Sequence, residues 1–325
     1  MSSRRKFIKT VGAGAGLASL AFTSKSAMPF VEPGPTFNAL RIGIIGAENS
    51  HTIGFGKMFN VEKKFPEATI THVWGETEAL ALKASEGGKI PKIVKDPREM
   101  MGEIDALIVD HRHAKYHLAA ATPFVKAGIP TFIDKPFCYR VDEGRAFLNM
   151  AKEVGTPVTS YSSVAHTKAT YDIKQQLQSL GEINHVVRYG PLDLDSEYGG
   201  VFFYGVHLIQ PLMFMFGEDI QRVKVIRSGK QGNASLVYKN GLFVTLIFKN
   251  LSYGWETFVE TKKGLTELKS TVDEPDPPMM DAEMVNMFRT RKEPRTHKSM
   301  LTEVAILEAL EKSAITEKWE EVYAV

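Results

Sequence analysis

Between residues 40 and 154, short apolar segments alternate with amphipathic ones, and this alternation constrains the fold more than any other feature of the chain. The segment DALIV at residues 105–109 is apolar almost throughout, which is typical of a strand buried on both faces of a parallel sheet. Strands that alternate with helices predict a doubly wound α/β domain. The sequence predicts strands over 40–45, 68–74, 105–109 and 130–133, and helices over 51–60, 79–85, 116–127 and 142–154, with Pro123 kinking or splitting the third helix.

The pattern becomes richer in strands after about Pro157. Asn240-Gly241 lies between two apolar segments and predicts a tight hairpin turn there. The sequence predicts a helix over 167–180, strands over 183–189 and 223–227, hairpins over 234–248 and 258–268, and a final helix over 300–312. We therefore expect an α/β Rossmann-like domain with a parallel sheet over 40–157. An α+β domain with a mostly antiparallel sheet should follow over 158–325, with its final helix able to pack back on the first domain.

The first 27 residues have the pattern of an export signal. A basic head containing Arg4 and Arg5 is followed by a weakly apolar run and then by small residues. The run is shorter than the ~20 apolar residues that span a membrane, and the paired arginines resemble the twin-arginine signal. We expect residues 1–27 to be a signal peptide read by the twin-arginine export machinery and residues 28–39 to be a linker. The mature protein is then periplasmic or exported, with no membrane span.

Composition excludes several classes of protein. Hydrophobic residues make up 43% of the chain and charged residues 24%, which is typical of a soluble globular protein. The formal net charge is +2, and no basic stripe with interleaved aromatics indicates a nucleic-acid partner. Cys138 is the single cysteine, so an internal disulfide and a thiolate zinc cluster are both excluded.

The segment RIGIIGAENSH at residues 41–51 ends an apolar strand in the kind of turn that opens a dinucleotide site. Gly46 provides the tight bend, but Glu48 and His51 stand where a second and a third glycine are expected. A carboxylate beside a pyrophosphate is unfavourable unless it turns away, and a histidine adds bulk where the helix should meet the strand. Glu76, after the second strand, is placed to bind ribose hydroxyls, with a solvated loop glutamate as the alternative.

Three further segments carry a resemblance to a known family. Asp-Lys-Pro at 134–136 ends the fourth strand, Gly-Val-His at 205–207 opens an apolar helix, and AILEALEKS at 305–313 lies in the last helix. With the domain order, these segments resemble the Gfo/Idh/MocA oxidoreductase family. The resemblance implies NAD or NADP as cofactor, a lysine beside the nicotinamide and the substrate, and a homodimer or homotetramer. It makes Lys135 and His207 the candidate catalytic residues.

The candidate cofactor-binding residues follow from the dinucleotide turn and from the resemblance together. They come after successive strands, whose carboxyl ends should meet at one crevice. They are Gly46, Ala47, Glu48, Asn49, Ser50, His51, Glu76, Arg112, Asp134 and Lys135.

The sequence also departs from the pattern of the family. Phe203 stands where the family has an aspartate four residues before its histidine, Gln210 replaces a second aspartate, and Arg-His at 112–113 replaces Thr-Pro. A general acid/base pair has therefore lost its carboxylate. His207 could transfer protons alone, bind a sugar hydroxyl or be a core residue. If it lies at the N-terminal end of its helix, as we expect, the helix dipole keeps its imidazole neutral.

Two other interpretations stay open at this crevice. Lys135 could be a structural lysine paired with Asp134. A set of polar residues after the strands could bind a divalent metal through oxygen and imidazole, although polar loop residues are the simpler interpretation and no metal is assigned. The set consists of Glu48, His51, Asp110, His111, His113 and Cys138.

The leading functional hypothesis is an exported NAD(P)-dependent oxidoreductase that acts on a sugar, glycoside or polyol derivative. Lys135 and His207 would handle the hydroxyl proton, and the cofactor would be tightly held because the periplasm contains little free NAD(P). One alternative is a non-redox lyase or hydrolase that acts on an oxidised sugar, with or without a metal. Another is a non-catalytic protein that binds a sugar or a nucleotide.

Overall fold

The computed structural model describes residues 39–325, so the expected signal peptide and nearly all of the linker lie outside the described residues. The first half of the described chain forms a six-stranded sheet in the order β3-β2-β1-β4-β5-β6, with every neighbouring pair parallel. Its strands are β1 (Leu40–Ile45), β2 (Ala68–Trp74), β3 (Lys92–Ile93), β4 (Ala106–Val109), β5 (Thr131–Ile133) and β6 (Val158–Thr159). The connecting helices are α1 (His51–Gly56), α2 (Glu78–Gly88), α3 (His117–Lys126) and α4 (Val141–Val154).

The strand order creates one point at which the chain changes direction across the sheet. From the central strand β1, the chain first adds β2 and β3 on one side and then β4, β5 and β6 on the other. The carboxyl ends of β1 and β4 therefore border a crevice between connections that run in opposite directions. In doubly wound sheets, ligands bind at this point.

The second half of the described chain forms a seven-stranded sheet in the order β12-β11-β7-β10-β9-β8-β13. Its strands are β7 (Ile183–Pro191), β8 (Ile220–Ser228), β9 (Gln231–Tyr238), β10 (Phe243–Lys249), β11 (Glu256–Thr261), β12 (Gly264–Leu268) and β13 (Glu320–Glu321). The remaining helices are α5 (Lys168–Leu177), α6 (Val201–Phe216), α7 (Met279–Thr290) and α8 (His297–Thr316). Both predicted hairpins are present, and the sheet is mostly antiparallel, as predicted. The exception is β7 with β10, which are parallel.

Several local expectations are wrong. The predicted break at Pro123 does not split α3, which is continuous from His117 to Lys126. The helix that carries His207 begins at Val201 rather than near Gly205, so His207 lies in its second turn. β3, β6, β13 and α7 were not predicted from the sequence. Within the described residues, no helix is long and apolar enough to cross a membrane.

Helices cover the parallel sheet on both faces and so fix its crevice. α1 continues as a π-helical turn over Lys57–Val61. It approaches α2 so closely that a β-carbon on Gly56 would lie 2.4 Å from the Cα of Gly88. Side chains of α7 share one apolar cluster with α1 and the sheet. On the opposite face, Glu308 of α8 accepts the amide of Val141 at the start of α4 at 2.9 Å.

Candidate functional site

The loop after β1 makes a tight bend at the crevice. Gly46 has a φ of 110°, and a β-carbon there would lie 2.6 Å from the carbonyl carbon of Asp110. The Thr52 hydroxyl lies 2.6 Å from the Gly46 carbonyl oxygen and 2.5 Å from the Asp110 carboxyl group. Only glycine combines this φ with this close approach. The loops that follow β1 and β4 are therefore in direct contact.

Glu76, which follows β2, is hydrogen-bonded to the backbone of this loop. Its Oε2 accepts hydrogen bonds from the backbone amides of Ala47 and Glu48, each at 2.9 Å. Its Oε1 is buried and has no hydrogen-bond partner among the described residues. A buried acceptor without a donor is costly, so the position is suited to a ligand hydroxyl. In dinucleotide folds an acidic residue at this place binds the ribose hydroxyls.

Glu48 is hydrogen-bonded to Tyr198, which comes just before α6. Its Oε1 accepts a hydrogen bond from the Tyr198 hydroxyl at 3.1 Å. The guanidinium of Arg112 lies 4.1 Å from the centre of the Tyr198 ring and donates to the same hydroxyl at 3.1 Å. The glycine bend and the Glu76 oxygen that has no partner among the described residues fit a dinucleotide.

A carboxyl cluster, defined here as Asn49, His51, Asp110 and Asp134, lies under the loop. The Asn49 amide nitrogen donates to Asp110 at 3.0 Å and to Asp134 at 3.1 Å, and the His51 ring lies 3.2 Å from Asp134. Burial and the Asp134 carboxylate raise the pKa of Asp110 well above its usual value. Burial acts to raise the pKa of Asp134 too, but His51 and Lys135 outweigh it and lower that pKa. The pKa values of the two carboxyl groups are therefore shifted in opposite directions.

His51 does not add bulk between α1 and the sheet, contrary to expectation. Its ring is directed toward Asp134, and 40% of its side chain is exposed. It borders a cavity of about 380 Å³ between α1 and α7, which Asp134 and Asp281 also line. The replaced glycine therefore changes the chemistry of the crevice and leaves the packing of the helix intact.

Lys135 is buried at the same edge of the sheet. Its side chain is 6% exposed, and its ammonium lies 3.6 Å from Asp134. The ammonium also lies 5.1 Å from the centre of the Phe203 ring. Phe203, where the family has an aspartate, therefore lies beside the lysine with its aromatic ring.

His207 is buried in α6 near Lys135. Burial lowers the pKa of His207 well below its usual value, and the charge of Lys135 lowers it further. The ring is therefore neutral, as expected, but the expected cause is wrong because His207 lies within α6 and not at its N-terminus. Its Nδ1 lies 2.6 Å from the Ser162 hydroxyl, and its ring packs edge-on against Trp255.

A buried network that the sequence analysis missed supports Ser162. Gln210 accepts the Ser162 amide at 2.5 Å and donates to Glu303 at 2.5 Å. Glu303 pairs with Arg295 at 2.7 Å, and both side chains are buried. Gln210 was noted only as a departure from the family. The pairing could not be read from the sequence, because these residues lie far apart along the chain.

The structure does not bring the remaining candidates into this cluster. Cys138 is buried with its thiol 3.2 Å from the Arg140 carbonyl oxygen, and burial raises the pKa of the thiol. His113 caps the short turn before α3 and packs against Tyr139. Burial lowers the pKa of His111 to about 4 and that of His113 to about 4. Ser50 is exposed on the loop.

Residues 40–162 match a family model, Gfo/Idh/MocA, described as an oxidoreductase family with an NAD-binding Rossmann fold. Residues 40–162 are thus similar to the NAD-binding domain of the Gfo/Idh/MocA family. The parallel sheet over these residues agrees with that match, and the family description names the cofactor class expected from the sequence. No curated protein sequence matches the chain.

Solved structures share the fold of this chain at low identity. GenD2 from gentamicin A biosynthesis, solved in complex with NAD, has a TM-score of 0.74 at 15% identity, covering 89% of this chain and 97% of its own. Apo scyllo-inositol dehydrogenase from Lactobacillus casei has a TM-score of 0.73 at 15% identity, covering 88% and 98%. Myo-inositol dehydrogenase from the same organism, solved with NAD(H) and myo-inositol, has a TM-score of 0.73 at 12% identity, covering 88% and 98%.

Proposed function

We propose that this protein is an NAD-dependent oxidoreductase that acts on a secondary alcohol of a sugar, glycoside or polyol. The observation that carries the proposal is the buried Oε1 of Glu76, which has no partner among the described residues at the place where a dinucleotide ribose binds. A carboxylate there accepts a ribose hydroxyl and repels a 2′-phosphate. It therefore supports NAD over NADP.

Some residues of the crevice would bind the cofactor, and Lys135 would accept the proton. The bend at Gly46 would let the backbone approach the pyrophosphate, and Glu76 would hold the ribose. NAD, when bound, supplies the hydride acceptor. Lys135, in its neutral form, would take the proton of the substrate hydroxyl. Asp134 fixes the lysine in position through their contact at 3.6 Å.

The proposed substrate class rests on the surroundings of Phe203. A cavity of about 600 Å³ opens beside Phe203 and Arg112 and is lined by Tyr204, Lys249 and Asn250, among others. Its walls combine aromatic faces with charged and amide groups, a mixture that suits a small polyhydroxylated ring. The likeness in fold to inositol dehydrogenases supports the same class.

The proposal is tested by the nucleotide content of the purified protein. If the cofactor is tightly held, acid-denatured protein releases a nucleotide that absorbs near 260 nm. If it is not, added NAD⁺ should bind at one site per chain. Protein that carries no nucleotide and binds no NAD⁺ would rule the function out.

One observation favours the alternative of a metal-assisted lyase or hydrolase. His51, Asp110 and Asp134 place potential ligand atoms within 4.8 Å of one another. The Asn49 amide already donates to both carboxyl groups, and the Lys135 ammonium lies beside one of them, so the cluster is satisfied without an ion. Elemental analysis that found stoichiometric zinc, manganese or magnesium would support this alternative.

We also propose export by the twin-arginine route, supported by the sequence of residues 1–27. Replacing Arg4 and Arg5 with lysine should leave the uncleaved protein in the cytoplasm, and a variant that still reached the periplasm would contradict the proposal. A homodimer or homotetramer stays a proposal from the family resemblance, which sedimentation would test.

A further inference from the structure

His207 has a single hydrogen-bonding neighbour on its Nδ1 side. That neighbour is the hydroxyl of Ser162, at 2.6 Å, and both residues are buried. The Nε2 of His207 makes no hydrogen bond to any residue that the structure describes, and so it is available to a ligand. Which ring nitrogen carries the proton decides whether His207 offers that ligand a donor or an acceptor.

The hydrogen bonds of Ser162 decide the tautomer. The Ser162 oxygen already accepts the amide of Val164 at 3.0 Å. Across residues 39–325, the one acceptor within reach of the hydroxyl hydrogen is the His207 Nδ1. If Nδ1 carried a proton, the Ser162 hydrogen would be buried without an acceptor, which is unfavourable.

We propose that Ser162 is a positioning residue that holds His207 as the neutral tautomer protonated on Nε2, so that His207 presents a hydrogen-bond donor to the substrate oxygen. The part of this inference that concerns the substrate rests on the proposed function. The tautomer itself does not.

The surroundings of the ring favour this state over the two others. Burial and the nearby charges of Lys135, His51 and Arg188 disfavour an imidazolium, and the Asp134 carboxylate, which favours it, is outweighed. Phe203 stands where the family has a carboxylate, so the family's acidic partner for a protonated ring nitrogen is replaced by an apolar ring. Within residues 39–325, no acidic side chain is hydrogen-bonded to the ring to compensate for the loss of the Ser162 hydrogen bond.

The backbone of Ser162 is held as firmly as its hydroxyl. Gln210 accepts the Ser162 amide from one turn further along α6 than His207, and it is fixed in turn by Glu303 and Arg295. Arg188 donates to the carbonyl oxygen of His207 at 3.1 Å. These contacts hold the backbones of the serine and the histidine in place.

Lys135 and His207, the two candidate catalytic residues, then have different roles. A ring protonated on Nε2 donates to a hydroxyl or carbonyl oxygen and takes no proton from it. The proton released when the alcohol is oxidised then goes to Lys135 alone, while the hydride goes to the nicotinamide. His207 orients the oxygen, and the change from aspartate to Phe203 removes the family's second proton acceptor without removing the donor.

The tautomer can be measured without substrate or cofactor. Long-range ¹H–¹⁵N correlation spectra of the full chain, labelled with ¹⁵N-histidine, distinguish the two neutral tautomers, and His207→Gln identifies the signal by its loss. We expect the Nε2–H pattern for His207, unchanged from pH 6 to pH 8. Ser162→Ala should mix the tautomers or shift the signal, whereas Ser162→Thr keeps the hydroxyl and should retain the pattern. Ser163→Ala, at the exposed neighbouring serine, is the matched control.

Two outcomes would overturn the inference. One is an Nδ1–H pattern in the unmodified chain, which needs no variant to fold. The other is a spectrum of Ser162→Ala in which the His207 signal is identical to that of the unmodified chain. Failure of the proposed function is a separate result, because it would be seen as absent NAD⁺ binding with the tautomer unaffected.

Discussion

Gly46 lies directly against Asp110, so that a β-carbon on Gly46 would stand 2.6 Å from the Asp110 carbonyl carbon. Gly46→Ala must move the loop after β4 and also place alanine at a φ of 110°. We expect the free energy of unfolding to fall by at least about 2 kcal/mol, from strain and overpacking together. Urea denaturation measures it. Gly54→Ala in α1 is the matched control, because its β-carbon meets nothing within 4 Å, and it should be neutral or stabilising by up to ~1 kcal/mol.

Lys135→Met keeps the length of the side chain and removes its amine. Turnover of any polyol that supports NAD⁺ reduction should fall ~100-fold or more, as expected on loss of the general base, while NAD⁺ affinity changes little. Lys115→Met, at an exposed lysine after β4, should leave turnover unchanged. Stopped-flow absorbance at 340 nm measures the turnover, and a separate titration measures the affinity for NAD⁺. Equal turnover in both variants would make Lys135 a structural residue.

Asp281, at the start of α7, gives a pH dependence of stability. Burial raises the pKa of Asp281 to about 7, above the usual value of about 3.8. Between these two pH values the unfolded chain is ionised at this residue and the folded chain is not, so stability falls as the pH rises from about 4 to about 7. Asp281→Asn should match the unmodified chain at pH 4 and exceed its free energy of unfolding at pH 8 by on the order of 3 kcal/mol. Asp273→Asn, in an exposed loop, should leave the pH profile unaltered.

Long apolar strands could be predicted from the sequence because a run of consecutive apolar residues indicates that a strand is buried. β2 spans Ala68–Trp74, as predicted, and the Asn240-Gly241 hairpin is where its turn signal places it. β3 and β6 were missed because each has two residues, too few to carry a pattern. The start of α6 was misplaced because apolar residues surround the helix, which leaves no periodic face to mark its beginning.

The candidate residues could be grouped from the sequence, but their contacts could not be predicted. Parallel strands end at one edge, which is why the residues after β1, β4 and β5 could be grouped in advance. The hydrogen bond from Tyr198 to Glu48 joins residues 150 positions apart, and that from Ser162 to His207 joins residues 45 apart. Such pairs depend on how the two sheets meet, and one sequence carries no local signal for that.

In the proposed function, the loop after β1 and Glu76 bind NAD. A calorimetric titration of NAD⁺ into the full chain measures this binding directly. If the chain is isolated with nucleotide, the nucleotide is first removed. We expect one site per chain and an affinity for NAD⁺ that exceeds the affinity for NADP⁺. Glu76→Gln should lose at least ~10-fold in NAD⁺ affinity, because it weakens a hydrogen bond to a charged group. Glu78→Gln, two residues further on and exposed, should bind as the unmodified chain does. If the folded chain does not bind NAD⁺, or if Glu76→Gln and Glu78→Gln bind it equally, the proposed role of Glu76 and the loop is wrong.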